Sequence, residues 1–360
     1  MKDVLYPLRV FHGRLHEWRI EKSIEFSYMR SLLLPIGKKY YVVGTPTHTN
    51  IGDSAIVLAE MLFLKKCIGN AALIKELSFQ ETKAQMDTIS RCLRTAKGVV
   101  CGHGGGNMGD QWFAEEAFRR KLMNSLPDKP MIVFPQTIYY TPTEKGREEE
   151  NKSVEFYNNR PGLTLVAREA YSFHKMQELY PDTKVIMTPD IVMSCTMSDF
   201  GVVAQERAGV LFCTRSDREK AVSDNVWEEL KASVDELGLV SRKTDMYSDV
   251  PVTKENRADC VRRKMQEFCG AELVITDRLH GMVFAALTGT PCIVFSNCNH
   301  KVKGTYDWIS YLPYIRYVET EEEAKNCIQD LLKMYNCQFD NTPLKPFYDQ
   351  LAEVVKEKCR

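Results

Sequence analysis

The 360-residue chain has no bilayer-length apolar run, no closely spaced cysteine pair and no net charge, its 48 Lys and Arg balancing 48 Asp and Glu. Each absence excludes a class. Apolar stretches such as Met131 to Phe134 and Cys292 to Phe295 are strand-sized, far short of the roughly 20 residues that cross a bilayer. No membrane span is expected. The twelve cysteines are scattered without a CxxC pair, and the sequence does not open on a charged-then-apolar leader with a cleavage site. A reduced, cytoplasmic setting is therefore expected. Balanced charge leaves no general basic field for nucleic acid, although a local patch could still hold an anion. His12 and His16 stand four apart, but no third ligand and no HExxH accompany them, so neither a metal centre nor a cofactor is expected.

What is present is an ordinary globular composition, 44% hydrophobic and 27% charged, in a chain longer than one core usually organises. From Tyr40 onward a short β-branched or aromatic run, a polar turn and an amphipathic stretch recur, the pattern of βαβ units in a parallel sheet. Strands are expected at Tyr40 to Gly44, Ala72 to Leu77, Gly98 to Gly102, Met131 to Gln136, Leu163 to Ala167 and Val185 to Pro189. Periodicity lapses between Ser198 and Ala208, and a second series follows at Val210 to Thr214, Leu239 to Lys243, Leu273 to Thr276 and Cys292 to Phe295. The expected fold class is α/β, with two Rossmann-like domains and a cleft between their sheets. The divisions fall at residues 1–200, 201–335 and 336–360, the last a helix packing back. A leading helix from Gly13 to Leu34, with Arg19, Lys22 and Arg30 beside Trp18, is a candidate for peripheral contact with anionic lipid; a solvated face explains it equally.

Four polar turns fall at the carboxyl ends of expected strands, where ligands of such sheets bind. The first, Thr45 to Asp53, precedes a helical run and places Asp53 where an N-cap belongs; Asn50, Gly52 and the first helical N–H groups could hold an anion or a sugar hydroxyl. A capped turn without ligand is the plainer reading. The second, His103 to Asp110, contains three successive glycines, Gly104, Gly105 and Gly106, then Asn107. Bare backbone costs conformational entropy, so close approach of a ligand or of the other domain is expected there. It lacks both the GxGxxG spacing and a following Lys-Ser/Thr, so neither the dinucleotide nor the P-loop reading applies. The third, Asp277 to Gly281, begins a helix with Arg278 and His280, cations that the helix dipole disfavours unless an anion is bound. The fourth puts Arg168 just past a buried strand. One arginine from each domain would grip the two ends of a small polyanion. Lys301, after the strand Cys292 to Phe295, could reach the same rim.

Taken together, Thr49 to Asp53, Gly104 to Asp110, Ala167 to Ser172, Thr276 to Gly281 and Gly289-Thr-Pro291 through Lys301 resemble, in order and spacing, the polysaccharide pyruvyl transferase family. The resemblance covers about residues 40 to 301. It implies a two-domain fold like the GT-B glycosyltransferases and transfer of a pyruvyl group from phosphoenolpyruvate to a sugar, as a ketal, with release of phosphate. It further implies that Arg168 and Arg278 hold phosphoenolpyruvate and that His280 acts as the acid. Asp53 or Asp110 would orient or deprotonate the acceptor hydroxyls. The expected acceptor is a galactose-type sugar of a lipid-linked surface-polysaccharide precursor, met at the inner face of the cell membrane. Two other readings remain open on the residues: a glycosyltransferase using a nucleotide sugar, and a carbohydrate or phosphate sensor without chemistry.

Overall fold

In the computed structural model the described residues are 22, 26–217, 220–297 and 299–358. Most of the leading helix and the His12/His16 pair lie outside them. Two wholly parallel sheets, one in each half, form the frame. The first contains β1 (Lys39–Thr45), β2 (Ile74–Ser78), β3 (Gly98–Gly102), β4 (Gly105–Gly109), β5 (Met131–Tyr139), β6 (Leu163–Ala167) and β7 (Lys184–Met187) in the order β2-β1-β3-β5-β6-β7, with β4 also on β5. The second contains β8 (Val210–Cys213), β9 (Ser241–Thr244), β10 (Leu273–Thr276), β11 (Cys292–Phe295) and β12 (Ile315–Val318) in the order β12-β11-β10-β8-β9. Their central strands are buried along their whole length, which is why they read as continuous apolar runs and not as alternating ones.

The element least visible in the sequence is β4. The glycine segment does not form an open turn: after a bend, β4 runs beside the second half of β5, while β3 pairs with the first half. Pro135 lies where the β5–β6 register shifts, since proline removes a ladder donor. Gly105 (φ +122°) and Gly109 (φ +119°) adopt backbone that side chains rarely reach, and a Cβ on Gly109 would strike the Tyr139 carbonyl oxygen. Sheet geometry requires these two glycines.

The helix α1 (Ile51–Ile68) follows β1 and is apolar on nearly every side, with Ile51, Ala55, Ile56, Ala59, Phe63 and Leu64 all buried. Such a helix belongs in an interior. It lies between the two halves, packed on α2 (Arg257–Cys269) of the second domain, and one apolar cluster runs from Val42, Ile56 and Phe134 to Val261, Phe268 and Met282. The last helix, α3 (Lys345–Lys358), returns to the first domain, where Tyr348 Oη donates to the Asp190 carbonyl at 2.7 Å and Tyr40 Oη to that of Val355 at 3.3 Å.

Backbone and buried charge close the seam. The Ile51 amide donates to Met246 O at 2.7 Å and that of Ser248 to Thr49 O at 2.8 Å. Arg257, 1% exposed, reaches from α2 to Glu76 at 2.7 Å and to the Pro46 carbonyl at 3.0 Å. No helix among the described residues is long and apolar enough to cross a membrane.

Candidate active site

A cleft of about 460 Å³ opens between the carboxyl ends of the two sheets. Asn50, Asp53, Gly106, Asn107 and Arg168 line it from the first domain, and Arg278, His280 and Lys301 from the second. The helix α4 (Leu279–Thr288) starts directly after β10, so Arg278 is its N-cap and His280 its second residue. Arg168 follows β6 directly. Short strand-to-helix connections thus aim both arginines and the imidazole at one space.

Asp190, which follows β7, ties these groups together. Its Oδ2 accepts from Arg168 Nη1 at 3.1 Å and lies 3.4 Å from His280 Nε2. Burial would push this carboxyl up, but His280 and Arg168, with the Val192 amide, hold it well below the usual carboxylate range. It is an ionised carboxylate inside the protein. The His280 contact lies off the line of a hydrogen bond, so Nε2 is buried without a hydrogen-bond partner. On the other side of the ring, α1 packs so closely that a Cβ on Gly52 would sit 2.5 Å from His280 Nδ1. Gly52 is therefore the floor under the imidazole; it does not line the cleft.

Neither arginine stands as a bare cation. Arg168, 2% exposed, also donates from Nε and Nη2 to Thr137 Oγ1, at 3.1 and 2.9 Å. Arg278 grips Asp245 with Nε at 2.7 Å and Nη2 at 2.8 Å, and Asp217 with Nη1 at 2.6 Å, beneath the Tyr247 ring. Buried guanidinium groups need such counter-charges. A guanidinium has five N–H groups; with three engaged on each arginine, two remain to meet a ligand. Arg215, 7% exposed and also lining the cleft, shares Asp217 at 3.0 Å. One exposed-side carboxylate thus bridges two arginines.

Other positions depart from expectation. Asn50, not Asp53, caps α1: its side chain accepts from the Gly52 amide at 2.9 Å, and the helix begins at Ile51 because that residue seals the domain seam. Asp53 occupies the first turn, faces the cleft and lies 3.5 Å from His48 Nε2. Asp110 does not line the cleft; it accepts from the Thr141 amide at 2.8 Å and from the Thr141 hydroxyl, fixing the end of β4. Gly105 serves the sheet bend, whereas Gly106 faces the Arg168 guanidinium, where a Cβ would come within 3.1 Å of Nη2. The Asn107 side chain accepts from Arg119. A buried pair escaped the sequence reading: His103, at the cleft wall, has Nδ1 held by Glu60 at 3.0 Å, and Glu60 also accepts from the Gly104 amide at 2.7 Å. Among the described residues no group of three or more His, Cys, Asp or Glu is placed to hold a metal ion.

Parallel sheets facing each other across a cleft lined by guanidinium groups, imidazoles and carboxylates define a two-domain α/β enzyme of GT-B-like arrangement. The family model described as polysaccharide pyruvyl transferase matches residues 50–299. General stress protein 30 of Bacillus subtilis (strain 168) is 32% identical over 319 residues, covering 88% of this chain and 90% of that protein. Pyruvyl transferase 1 of Schizosaccharomyces pombe is 26% identical over 293 residues, 77% of this chain and 71% of its own. Among solved structures, a functionally uncharacterised protein of Klebsiella pneumoniae superposes with a TM-score of 0.57 at 15% identity, over 83% of this chain and 98% of that one. The chain belongs to the polysaccharide pyruvyl transferase family.

Proposed function

We propose that the enzyme transfers the pyruvyl group of phosphoenolpyruvate to a galactose-type sugar of a lipid-linked polysaccharide precursor, without a metal or cofactor. The reading is carried by the shared Asp190 carboxylate, which places Arg168 and His280 around one point in the cleft, with Arg278 two residues before His280. Phosphoenolpyruvate has a carboxylate and a phosphate, and the remaining N–H groups of Arg168 and Arg278 suit its two ends. Lys301, on the same wall, adds charge for the phosphate.

His280 protonates C3 of the enol, turning its methylene into a methyl group and leaving positive character at C2. An acceptor hydroxyl attacks C2 and loses its proton. The C2–O bond to phosphate then breaks, and the second hydroxyl closes the ketal, losing a proton in turn. Of the two protons released, one restores His280 and one leaves with phosphate. Asp53 and the Glu60-held His103, which line the cleft from the first domain, accept these protons from the hydroxyls in passing and hand them on to His280 and the departing phosphate. Asp190 keeps His280 in place and offsets the imidazolium charge.

The test is acceptor-dependent phosphate release from phosphoenolpyruvate in the presence of a panel of galactosides. His280→Ala is expected to lower kcat by about 10²- to 10⁴-fold, the usual worth of general acid catalysis, with little change in donor binding. Unchanged turnover in that variant, or release of nucleoside diphosphate from a sugar nucleotide in place of phosphate, would overturn the reading.

A further inference from the structure

Asn107 follows the three glycines and lines the cleft from β4. Successive side chains of a strand point to opposite faces. A Cβ on Gly106 would face Arg168 Nη2 at 3.1 Å and Lys301 Cδ at 4.0 Å, so the Asn107 side chain leaves the strand on the side away from that arginine. There it meets Arg119, on the helix α5 (Phe113–Asn124) that follows β4, and its Oδ1 accepts from Arg119 Nη2. A guanidinium has donors only, so the amide can turn no atom but its oxygen toward it. This fixes the side chain: Nδ2 and its two N–H groups are directed away from Arg119, and no described residue accepts from them. Arg119 itself is 7% exposed and does not line the cleft. The amide N–H groups are what the side chain has left to offer a ligand.

Arg119 is held from behind in its turn. Its Nη1 donates to Oε2 of Glu116, a fully buried carboxylate whose Oε1 accepts from Tyr157 Oη at 2.7 Å and lies 3.2 Å from Arg120 Nε. Arg120 continues to Glu149 at 2.8 Å. Glu116 thus has a counter-charge in Arg120 already. Arg119 is a second cation sunk beside it, expensive to desolvate, and its Nη2 is spent on the cleft amide.

We propose that Arg119 is a positioning residue for the acceptor: acting through Asn107, it presents a neutral pair of N–H groups to a hydroxyl oxygen of the sugar. The inference rests on the pyruvyl-transfer reading. A neutral amide suits a hydroxyl oxygen, whereas the carboxylate and phosphate of the donor are matched by guanidinium groups. The test measures initial rates of acceptor-dependent phosphate release by the full chain, varying donor and galactoside separately. Arg119→Met frees the amide to turn, and acceptor kcat/KM is expected to fall about tenfold, the worth of one hydrogen bond in a dry site, with donor KM unchanged. An unchanged acceptor kcat/KM, or an effect confined to donor KM, overturns the proposal. In an Asn107→Ala background Arg119→Met should cost little more; full additivity would show that Arg119 does not act through the amide.

Asn107→Asp separates this role from a structural one and serves should Arg119→Met impair folding. The aspartate still accepts from Arg119 and adds a charge pair, so the thermal midpoint should not fall, but its outward oxygen cannot donate, and acceptor kcat/KM should drop about tenfold. Wild-type acceptor kcat/KM in that variant would reduce Asn107 to a partner for Arg119 and overturn the proposal. A readout independent of turnover is the NMR signal of the Asn107 side-chain amide in protein isotopically labelled on asparagine, identified by its absence from Asn107→Asp. It should be rigid in the wild type and motionally averaged in Arg119→Met; an amide equally rigid in both removes Arg119 as its support. If the wild type releases no phosphate with any galactoside, the pyruvyl-transfer reading fails and takes the sugar hydroxyl with it, while the amide signal still decides whether Arg119 positions Asn107.

Discussion

Replacing Gly52 with alanine tests the placement of His280 without touching any group that titrates. The added Cβ would lie 2.5 Å from Nδ1, 2.7 Å from Cγ and 3.0 Å from Cβ of His280. Because the histidine's own Cβ is among the close atoms, rotating the ring does not relieve the contact. The imidazole must shift by about 1 Å to reach ordinary carbon–nitrogen separation. A misplacement of that size costs on the order of 10² in rate when a catalytic group must meet its partner atom. The helix itself should tolerate the change, since alanine is favoured over glycine inside a helix by up to about 1 kcal/mol. The expected result is a kcat for phosphate release lowered about 100-fold in a protein whose thermal midpoint changes little. In the His280→Ala background the two contacts with the ring are gone and only the Cβ contact at 3.0 Å is left, so the same substitution should cost far less than in the wild type; that non-additivity identifies the imidazole as the main route of the effect. A folded Gly52→Ala enzyme at wild-type turnover would show that catalysis does not need the ring where it lies.

Two further outcomes follow from the buried charges. Arg168→Lys keeps the charge but loses the forked bonding to Thr137 and Asp190, so the donor KM in initial-rate assays should rise at least about tenfold; an unchanged KM removes Arg168 from donor binding. Asp277, whose Oδ1 accepts from the Arg215 amide at 2.9 Å, is pushed up by burial to about 6. A raised acid binds its proton more tightly folded than unfolded, so its ionisation lowers stability as pH rises from about 4 to 6, by up to about 3 kcal/mol. Urea midpoints for Asp277→Asn and wild type should therefore diverge across that window in favour of the variant; curves that stay parallel refute the assignment.

The strands that carry the site were legible because parallel sheets buried on both faces write uninterrupted apolar runs: Gly98–Gly102, Leu163–Ala167, Leu273–Thr276 and Cys292–Phe295 have the same limits in sequence and structure. The glycine-rich β4 was not, since its pairing depends on the bend after β3 and on the far half of β5. Ile315–Val318, short and with two central residues only partly buried, gave no signal amid a polar tail. At the start of α1, two cap-forming residues competed, and the choice fell to Asn50 through the seam contact of Ile51, a long-range fact. The same holds for chemistry. Local order exposed Arg168, Arg278 and His280, but Asp190, Asp217 and Asp245 lie 22 to 61 positions from the arginines they serve. Asp190 had one local mark, a Pro-Asp step directly after a strand. The pairing of His103 with Glu60, 43 positions apart, had none.

The apolar helix α1 has a consequence for how the molecule comes apart. Because its side chains are sunk in both halves at once, pulling the lobes asunder would expose an oily surface on each, so wide clam-shell gaping is penalised in a way that a polar hinge would not impose. Substrates must then be admitted by adjustments at the rim. Heating should melt the two lobes in one calorimetric step, and neither lobe expressed by itself should keep its shape in water.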